Sequence, residues 1–267
     1  MNRNILLKKA FQRGHLLTVK NRYYKQWLKS FIVDETKADI GTGDITSNLL
    51  DDKKAKAIIY SRSEGIVAGL EEVSFLFKNS KITVKQLKKD GSKIKKRDGL
   101  MMIHGKIRDI LKLERSALDI ISRASGIATL TNNLITKTQI APTRKTLWRY
   151  LDKKAVYLGG GLTHRLALWE SILIKDNHLK KIDIETALRR AWENRNKANF
   201  IEIETKDEKE TIHAAETFKK LKGKTDYPCL ILLDNMQPNK IKSIIKRLKS
   251  MQLYDYVLIE ASGGITP

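Results

Sequence analysis

A chain of 267 residues with 41% apolar side chains can bury a sizeable core, as one large domain or two modest ones, and is too apolar for a disordered polycation. Its 52 Lys and Arg against 30 Asp and Glu give a formal net charge of +22, which fits either a phosphate-rich partner or a lysine-coated surface. The lysines are scattered rather than striped, so the surface reading is preferred and nucleic acid is not expected as a partner.

The amino terminus, MNRNILLKKAFQRGHLLTVKNRYYKQWLKSFIV, has no acid before Asp34. It is poor in serine, and Leu6, Leu7, Ala10 and Phe11 suit an ordinary basic helix better than a transit peptide. From about Lys53 to Gly105, short alternating runs such as KAKAIIY and KITVKQL are separated by turns at Asp90-Gly91 and Asp98-Gly99. EEVSFLF has a helical face, so this stretch is predicted to be a small α+β unit. From Ile110 the spacing of Leu111, Leu118, Ile121, Ile127 and Leu130 predicts a helix, with Gly126 as a candidate break. AVYLGGG then reads as a strand-like run. SILIKDNHL, FIEIET, CLILLDN and YVLIEASGG follow as strands, and helix patterns separate the last four. Asp183 and Pro238 are good helix-start residues. Repeated strand-then-helix units mean a parallel sheet with crossover helices, and the absence of a strand-order break favours a β/α barrel over an open sheet. The division expected is residues 1–109 and 110–267. Cys229, the single cysteine, precedes LILLDN; it excludes an internal disulfide and a cysteine zinc cluster, and it fits a core residue in a reducing cytoplasm. No apolar stretch is long enough to span a bilayer.

Polar residues gather at the predicted strand ends: Lys175-Asp176-Asn177-His178, Glu202 and Glu204, Asp234-Asn235, and Glu260 with Ser262-Gly263-Gly264. In a β/α barrel that rim is where active sites are built. Arg115, Arg144, Lys145, His164, Arg165 and Lys175 suit carboxylate or phosphate groups. Glu204 and Asp234, on neighbouring strand ends, suit Mg²⁺, which binds through one or two carboxylates and substrate phosphates. Ser262-Gly263-Gly264 offers backbone N–H groups without Cβ obstruction. Neither the Walker pattern nor the dinucleotide fingerprint is present. Gly159-Gly160-Gly161 admits two readings, close backbone approach to a ligand or a plain turn. His15, His104 and His213 have no partner pattern, and no histidine spacing suggests zinc.

DIGTGDITSNLL, EGIVAGL, LERSALDIISRASGIAT, TRKT, AVYLGGGLTHRLALWESILIKDNHL, IEIET, LILLDNM and IEASGGIT together resemble the quinolinate phosphoribosyltransferase family, from about Asp39 to the last residue. The resemblance implies an N-terminal α/β sandwich followed by an incomplete α/β barrel, in a cytoplasmic homodimer whose N-terminal parts cover the partner's barrel mouth. It implies transfer of a phosphoribosyl group from phosphoribosyl pyrophosphate to quinolinate with loss of CO₂, using Mg²⁺. By motif, Arg115 would reach the neighbouring site, and Arg144, His164 and Arg165, with Thr143 beside them, would hold the quinolinate carboxylates. Lys145 and Lys175 would face the phosphoribosyl and pyrophosphate groups, Glu204 and Asp234 the ribose and metal, and Ser262, Gly263 and Gly264 the 5′-phosphate. Those cations are expected to converge on one small, highly anionic substrate pair. Two departures stand out. TRKT runs into LWRY where the family carries Pro-Gly, with Arg149 in place of the arginine that follows. The sequence stops at EASGGITP where the family continues with a helix and a strand, so weak binding of the phosphoribosyl donor is expected. A molybdenum-associated paralogue and an inactive scaffold are the alternatives. The arginine set favours quinolinate over the first.

Overall fold

The structure is a computed structural model and describes residues 3–135 and 138–265. In chain order the elements are α1 (Arg3–Phe11), α2 (Arg22–Ile40), β1 (Lys54–Tyr60), β2 (Gly65–Ile66), α3 (Leu70–Asn79), β3 (Thr83–Gln86), β4 (Lys93–Ile94), β5 (Gly99–Lys106) and α4 (Ile107–Leu134). They continue as α5 (Tyr150–Leu158), β6 (Ile172–Ile174), α6 (Asp176–Leu179), α7 (Ile184–Glu193), β7 (Ile201–Thr205), α8 (Glu208–Lys222), β8 (Cys229–Asp234), α9 (Pro238–Ser250) and β9 (Leu258–Ser262). The chain separates into two compact units, Arg13–Thr163 and Met1–Gln12 with His164–Pro267. No described helix is long and apolar enough to cross a membrane.

The first unit has the expected mixed character. β1, β5 and β3 form an antiparallel sheet with β5 in the centre, and β2 pairs with β4. α2 starts where Asn21 Oδ1 accepts the N–H groups of Tyr23 and Tyr24, and it buries Tyr24, Leu28 and Ile32 as a stripe every fourth residue. α4 buries Ile110, Leu113, Ala117, Ile120, Ile121, Ala124 and Ala128, again at helical spacing. The break anticipated at Gly126 does not occur. A glycine costs a helix interior only about 1 kcal/mol, and the packed stripe on either side outweighs that. Ala124 and Ala128 are small, which lets Ile66 and Ala68 of the β2 region and Ala155 of α5 pack against them.

AVYL, expected as a strand, is the end of helix α5. Leu151, Ala155 and Val156 supply its apolar positions, but Asp152, Lys153 and Lys154 are buried with them, and those charges hid the helical pattern. The triple glycine after it serves packing and a turn within this unit. A Cβ on Gly159 would lie 2.3 Å from the Ala128 carbonyl of α4, and one on Gly161 would lie 2.6 Å from Val156.

In the second unit β6, β7, β8 and β9 form a parallel sheet in chain order, the wall of an α/β barrel. Alternation sorts its two faces. Ile174, Ile201, Ile203, Cys229, Ile231 and Leu233 join the core made with Ala187, Leu188, Ala214, Phe218 and Ile244 of the crossover helices. The opposite face therefore carries Glu202, Glu204, Asp234, Glu260 and Ser262. Burial pushes the Cys229 thiol up to about 12, which fits an inert core residue.

Candidate active site

The tips of the four parallel strands gather most of the polar residues expected there. Lys175 directly follows β6, and its Nζ lies 3.1 Å from Glu204 near the end of β7. Asp234 ends β8. Its Oδ1 accepts the Ser262 hydroxyl of β9 at 2.6 Å, and its Oδ2 accepts the Asn235 amide at 2.7 Å. The Asn235 N–H in turn donates to the Ser262 carbonyl. Gly263 has φ +81, and a Cβ there would lie 2.0 Å from Asn235 Oδ1, so this turn demands glycine. Gly264, φ +63, has open space where a Cβ would sit. The rim thus presents one ammonium, two carboxylates, a hydroxyl and a glycine turn at the C-terminal edge of one sheet.

His164 and Arg165 belong to the same unit but are engaged differently. Arg165 is buried and donates to the Ser171 carbonyl at 3.2 Å. His164, at φ +52, stacks on Phe11 with ring centroids 4.5 Å apart and meets Phe200 edge-on. Its Nε2 faces Glu202 at 3.2 Å and Glu260 at 3.4 Å. Neither oxygen of Glu202 nor Oε2 of Glu260 has a hydrogen-bond partner of good geometry among the described residues. Burial pushes the Glu202 carboxyl up, with Glu260 adding to it and His164 opposing. Burial pulls the imidazole down, but Glu202 and Glu260 outweigh it and raise it to about 9. The backbone N–H of Arg165 points at Nδ1, 2.6 Å away, and needs that nitrogen unprotonated. Nε2, which faces the two carboxylates, is then the nitrogen that carries a ring proton toward them.

His164, Glu202 and Glu260 bring their ligand atoms within 4.8 Å of one another, a spacing that a metal ion also accepts. A metal-bound imidazole, however, donates its other N–H to an outer acceptor, whereas Nδ1 here accepts. A proton fits this cluster better than a metal.

In the other unit, Arg115 is exposed on α4 with Asp119 3.6 Å away. Thr143, Arg144 and Lys145 lie in the segment before α5. The Thr143 hydroxyl accepts the Lys145 N–H at 2.9 Å, and the Arg144 and Lys145 side chains are exposed. Sequence reasoning counted Glu202 and Glu260 among the strand-end residues without a role of their own, and overlooked Asp152, Lys153 and Lys154. Glu202 and Glu260 were within reach, since each stands two residues before a rim residue on a strand and so shares its face. The buried lysines carry no such signal.

A family model described as quinolinate phosphoribosyl transferase, C-terminal domain, matches residues 105–267, and its N-terminal counterpart matches residues 44–125. A probable nicotinate-nucleotide pyrophosphorylase (carboxylating) of Methanothermobacter thermautotrophicus is 34% identical over 252 residues, covering 90% of this chain and 87% of that protein. The protein of the same description from Methanocaldococcus jannaschii is 35% identical, covering 90% and 86%. The solved nicotinate-nucleotide pyrophosphorylase of Francisella tularensis superposes with a TM-score of 0.76 at 29% identity, covering 90% of this chain and 84% of that one. Both domain models, matched in order over this chain, place it in the quinolinate phosphoribosyl transferase family.

Proposed function

We infer that this chain joins quinolinate to the ribose of phosphoribosyl pyrophosphate, giving nicotinate mononucleotide, pyrophosphate and CO₂ for pyridine nucleotide biosynthesis. The observation that carries the reading is the family match over both domains, with a polar rim on the sheet where such chemistry is housed. The pyridine nitrogen attacks C1′ as the C1′–oxygen bond to pyrophosphate breaks. The pyridinium so formed then accepts the electron pair released when the C2 carboxylate leaves as CO₂, and C2 takes up a proton. No nucleophilic side chain is needed, in keeping with the absence of a Ser-His-Asp pattern from the sequence.

The protein's part is electrostatic. Quinolinate brings two carboxylates and the donor several phosphate charges, and like charges at short range repel by several kcal/mol at an intermediate dielectric. Arg144 and Arg165 would hold the carboxylates, with His164 and Thr143 completing that subsite. Lys145 and Lys175 would stabilise the charge that develops on the departing pyrophosphate. Ser262, Gly263 and Gly264 would offer donors to the 5′-phosphate. Glu204 and Asp234 fit Mg²⁺: they are hard oxygen donors at the edges of adjacent strands, in the number this ion takes when phosphates complete its sphere. The ion would neutralise phosphate charge. Lys175, now on Glu204, would be released toward the phosphates.

We further propose a cytoplasmic homodimer in which Arg115 serves the neighbouring subunit's site. Mixing inactive Arg115→Ala and Lys175→Ala chains should then restore part of the activity. A mixture as dead as its components excludes the shared site. The reaction itself is tested by incubating the protein with quinolinate, donor and Mg²⁺ and following nicotinate mononucleotide. Product should form, and Arg144→Ala should raise the quinolinate KM. No product, with Arg144→Ala indistinguishable from the parent, would remove the reading's support.

A further inference from the structure

Lys153 is a fully buried lysine, with 2% of its surface exposed, on the nine-residue helix α5. Its Nζ donates to the Thr163 carbonyl at 2.7 Å and to the Pro142 carbonyl at 3.1 Å. Each carbonyl closes a segment just before a pair of cations. Thr143-Arg144-Lys145 follow Pro142, and His164-Arg165 follow Thr163. The same two segments are already joined upstream, where the Leu162 N–H donates to the Ile140 carbonyl at 2.8 Å and the Gly161 N–H to Val156 of α5. The preceding residue closes the other end of the loop. Asp152 accepts the Trp148 N–H at 3.0 Å while it forms a two-point pair with Arg123 of α4 at 2.8 and 2.9 Å.

An ammonium taken out of water is costly unless carbonyls or carboxylates replace its solvation, so both acceptors must stay where the lysine needs them. The backbone carrying Arg144 and Lys145 is therefore clamped by α5 at both ends, by Asp152 at Trp148 and by Lys153 at Pro142. Arg144 and Lys145 are exposed, and neither is fixed by burial of its own.

We propose that Lys153 is a positioning residue for quinolinate binding: by bridging the Pro142 and Thr163 carbonyls it sets the backbone from which Arg144 meets the substrate's carboxylates. This rests on the substrate role proposed above for Arg144. A displacement of about 1 Å in such a group is enough to cost up to roughly a hundredfold. Because the group acts in binding, the loss falls on KM more than on kcat.

The test is a double-mutant cycle on the full-length protein, with folding followed by circular dichroism. Lys153→Met, which keeps length and removes the donors, should raise the quinolinate KM roughly tenfold or more with a smaller change in kcat. Lys153→Gln, which keeps an amide donor, should fall between it and the parent. In an Arg144→Ala background Lys153→Met should add less than about threefold, because the group it positions is gone. The equally buried neighbour variant Lys154→Met, whose partners are Glu71 and Glu72, should leave the quinolinate KM unchanged. A normal KM in folded Lys153→Met, or a full additive loss in the double variant, overturns the proposal. So does a chain that folds with neither Met nor Gln at 153, since the lysine then serves the fold rather than the site. A normal KM in Arg144→Ala alone instead overturns the substrate assignment on which the proposal rests.

Discussion

Two clusters in this molecule each set one nitrogen base against two carboxylates, and they differ in how fully the carboxylates are satisfied. In the Arg13–Thr163 unit, Lys154 Nζ lies 2.6 Å from Glu72 and pairs also with Glu71, and of their four carboxylate oxygens only Glu72 Oε2 lacks a partner among the described residues. Tyr24 donates its hydroxyl to Glu72 at 2.6 Å, and Thr18 does the same for Glu71 at 2.6 Å. In the parallel-sheet unit, His164 stands more than 3 Å from Glu202 and Glu260, and three of the four carboxylate oxygens there lack a well-placed donor. Buried polar groups are normally paired, and the exceptions concentrate where a site must change its charge or accept a ligand. The first cluster is a fastening among α2, α3 and α5. The second is a store of unspent hydrogen-bonding capacity on the sheet face that carries the candidate site.

The largest effect should come from breaking the better-satisfied cluster. Lys154→Met leaves two carboxylates facing each other with Glu72 fully buried, and removal of one partner from such a set costs about 3–5 kcal/mol. Burial lowers the proton affinity of the Lys154 ammonium, but Glu72 and Glu71 outweigh it and raise the pKa overall, so the amine is charged throughout the useful pH range. Urea unfolding at pH 7 should show the midpoint falling accordingly. A shift below about 1 kcal/mol would mean that the two clusters do not differ in kind.

A second, smaller effect sits beside the same cluster. Asp90 accepts the N–H groups of Leu70 and Glu71 at the start of α3, at 2.9 and 3.0 Å. That setting should favour a carboxylate, yet burial, reinforced by Glu72, pushes the carboxyl up to about 6. A carboxyl raised on folding holds a proton that the unfolded chain would release. It costs nothing below the unfolded value near 4, costs progressively more as pH rises from about 4 to 6, and above that the penalty is about 3 kcal/mol. Asp90→Asn keeps one of the two backbone bonds and cannot ionise. Its stability relative to the parent should therefore improve between pH 4.5 and pH 7.5. Parallel curves for the two proteins would show that Asp90 keeps an ordinary pKa.

The contrast also explains what was legible in the sequence. Apolar runs alternating with helix patterns, and helix-start residues, marked β6 to β9 and their helices, and placed Lys175, Glu204, Asp234 and Ser262 at one rim. Those are local patterns, fixed by residues a few positions apart. Helix α5 was not legible, because its buried stripe runs through Asp152, Lys153 and Lys154, whose charges are met chiefly by partners from about ten to over eighty residues away. Burial of a charge is a tertiary fact, and nothing within YLDKKAVYL announces it. Gly126 failed as a break for the same reason: packing of Ala124 and Ala128 decided the matter, not local propensity. His164 was legible as a cation but not as one whose Nε2 is turned toward its own carboxylates.

The smallest effect, and the sharpest for the comparison, is expected from Glu202→Gln. A glutamine there keeps the shape, removes one of two facing negative charges and supplies an N–H to Glu260, while its carbonyl oxygen still accepts from His164 Nε2. Each change satisfies a group that is now unpaired, and filling an unmet hydrogen bond at a buried site is worth about 1 kcal/mol. Stability should stay level or rise by about that much, opposite in sign to Lys154→Met. With only Glu260 left to favour the charged ring, the pKa of His164 should fall from about 9 toward its ordinary range, which the shift of its ring protons with pH would follow. If the unmet capacity serves substrate binding, the firmer protein should also be the poorer enzyme, with kcat/KM falling as Tm holds. A Glu202→Gln protein that loses stability on the scale of Lys154→Met would instead make the His164 cluster a second fastening, held together by contacts as necessary to the fold as those of Lys154.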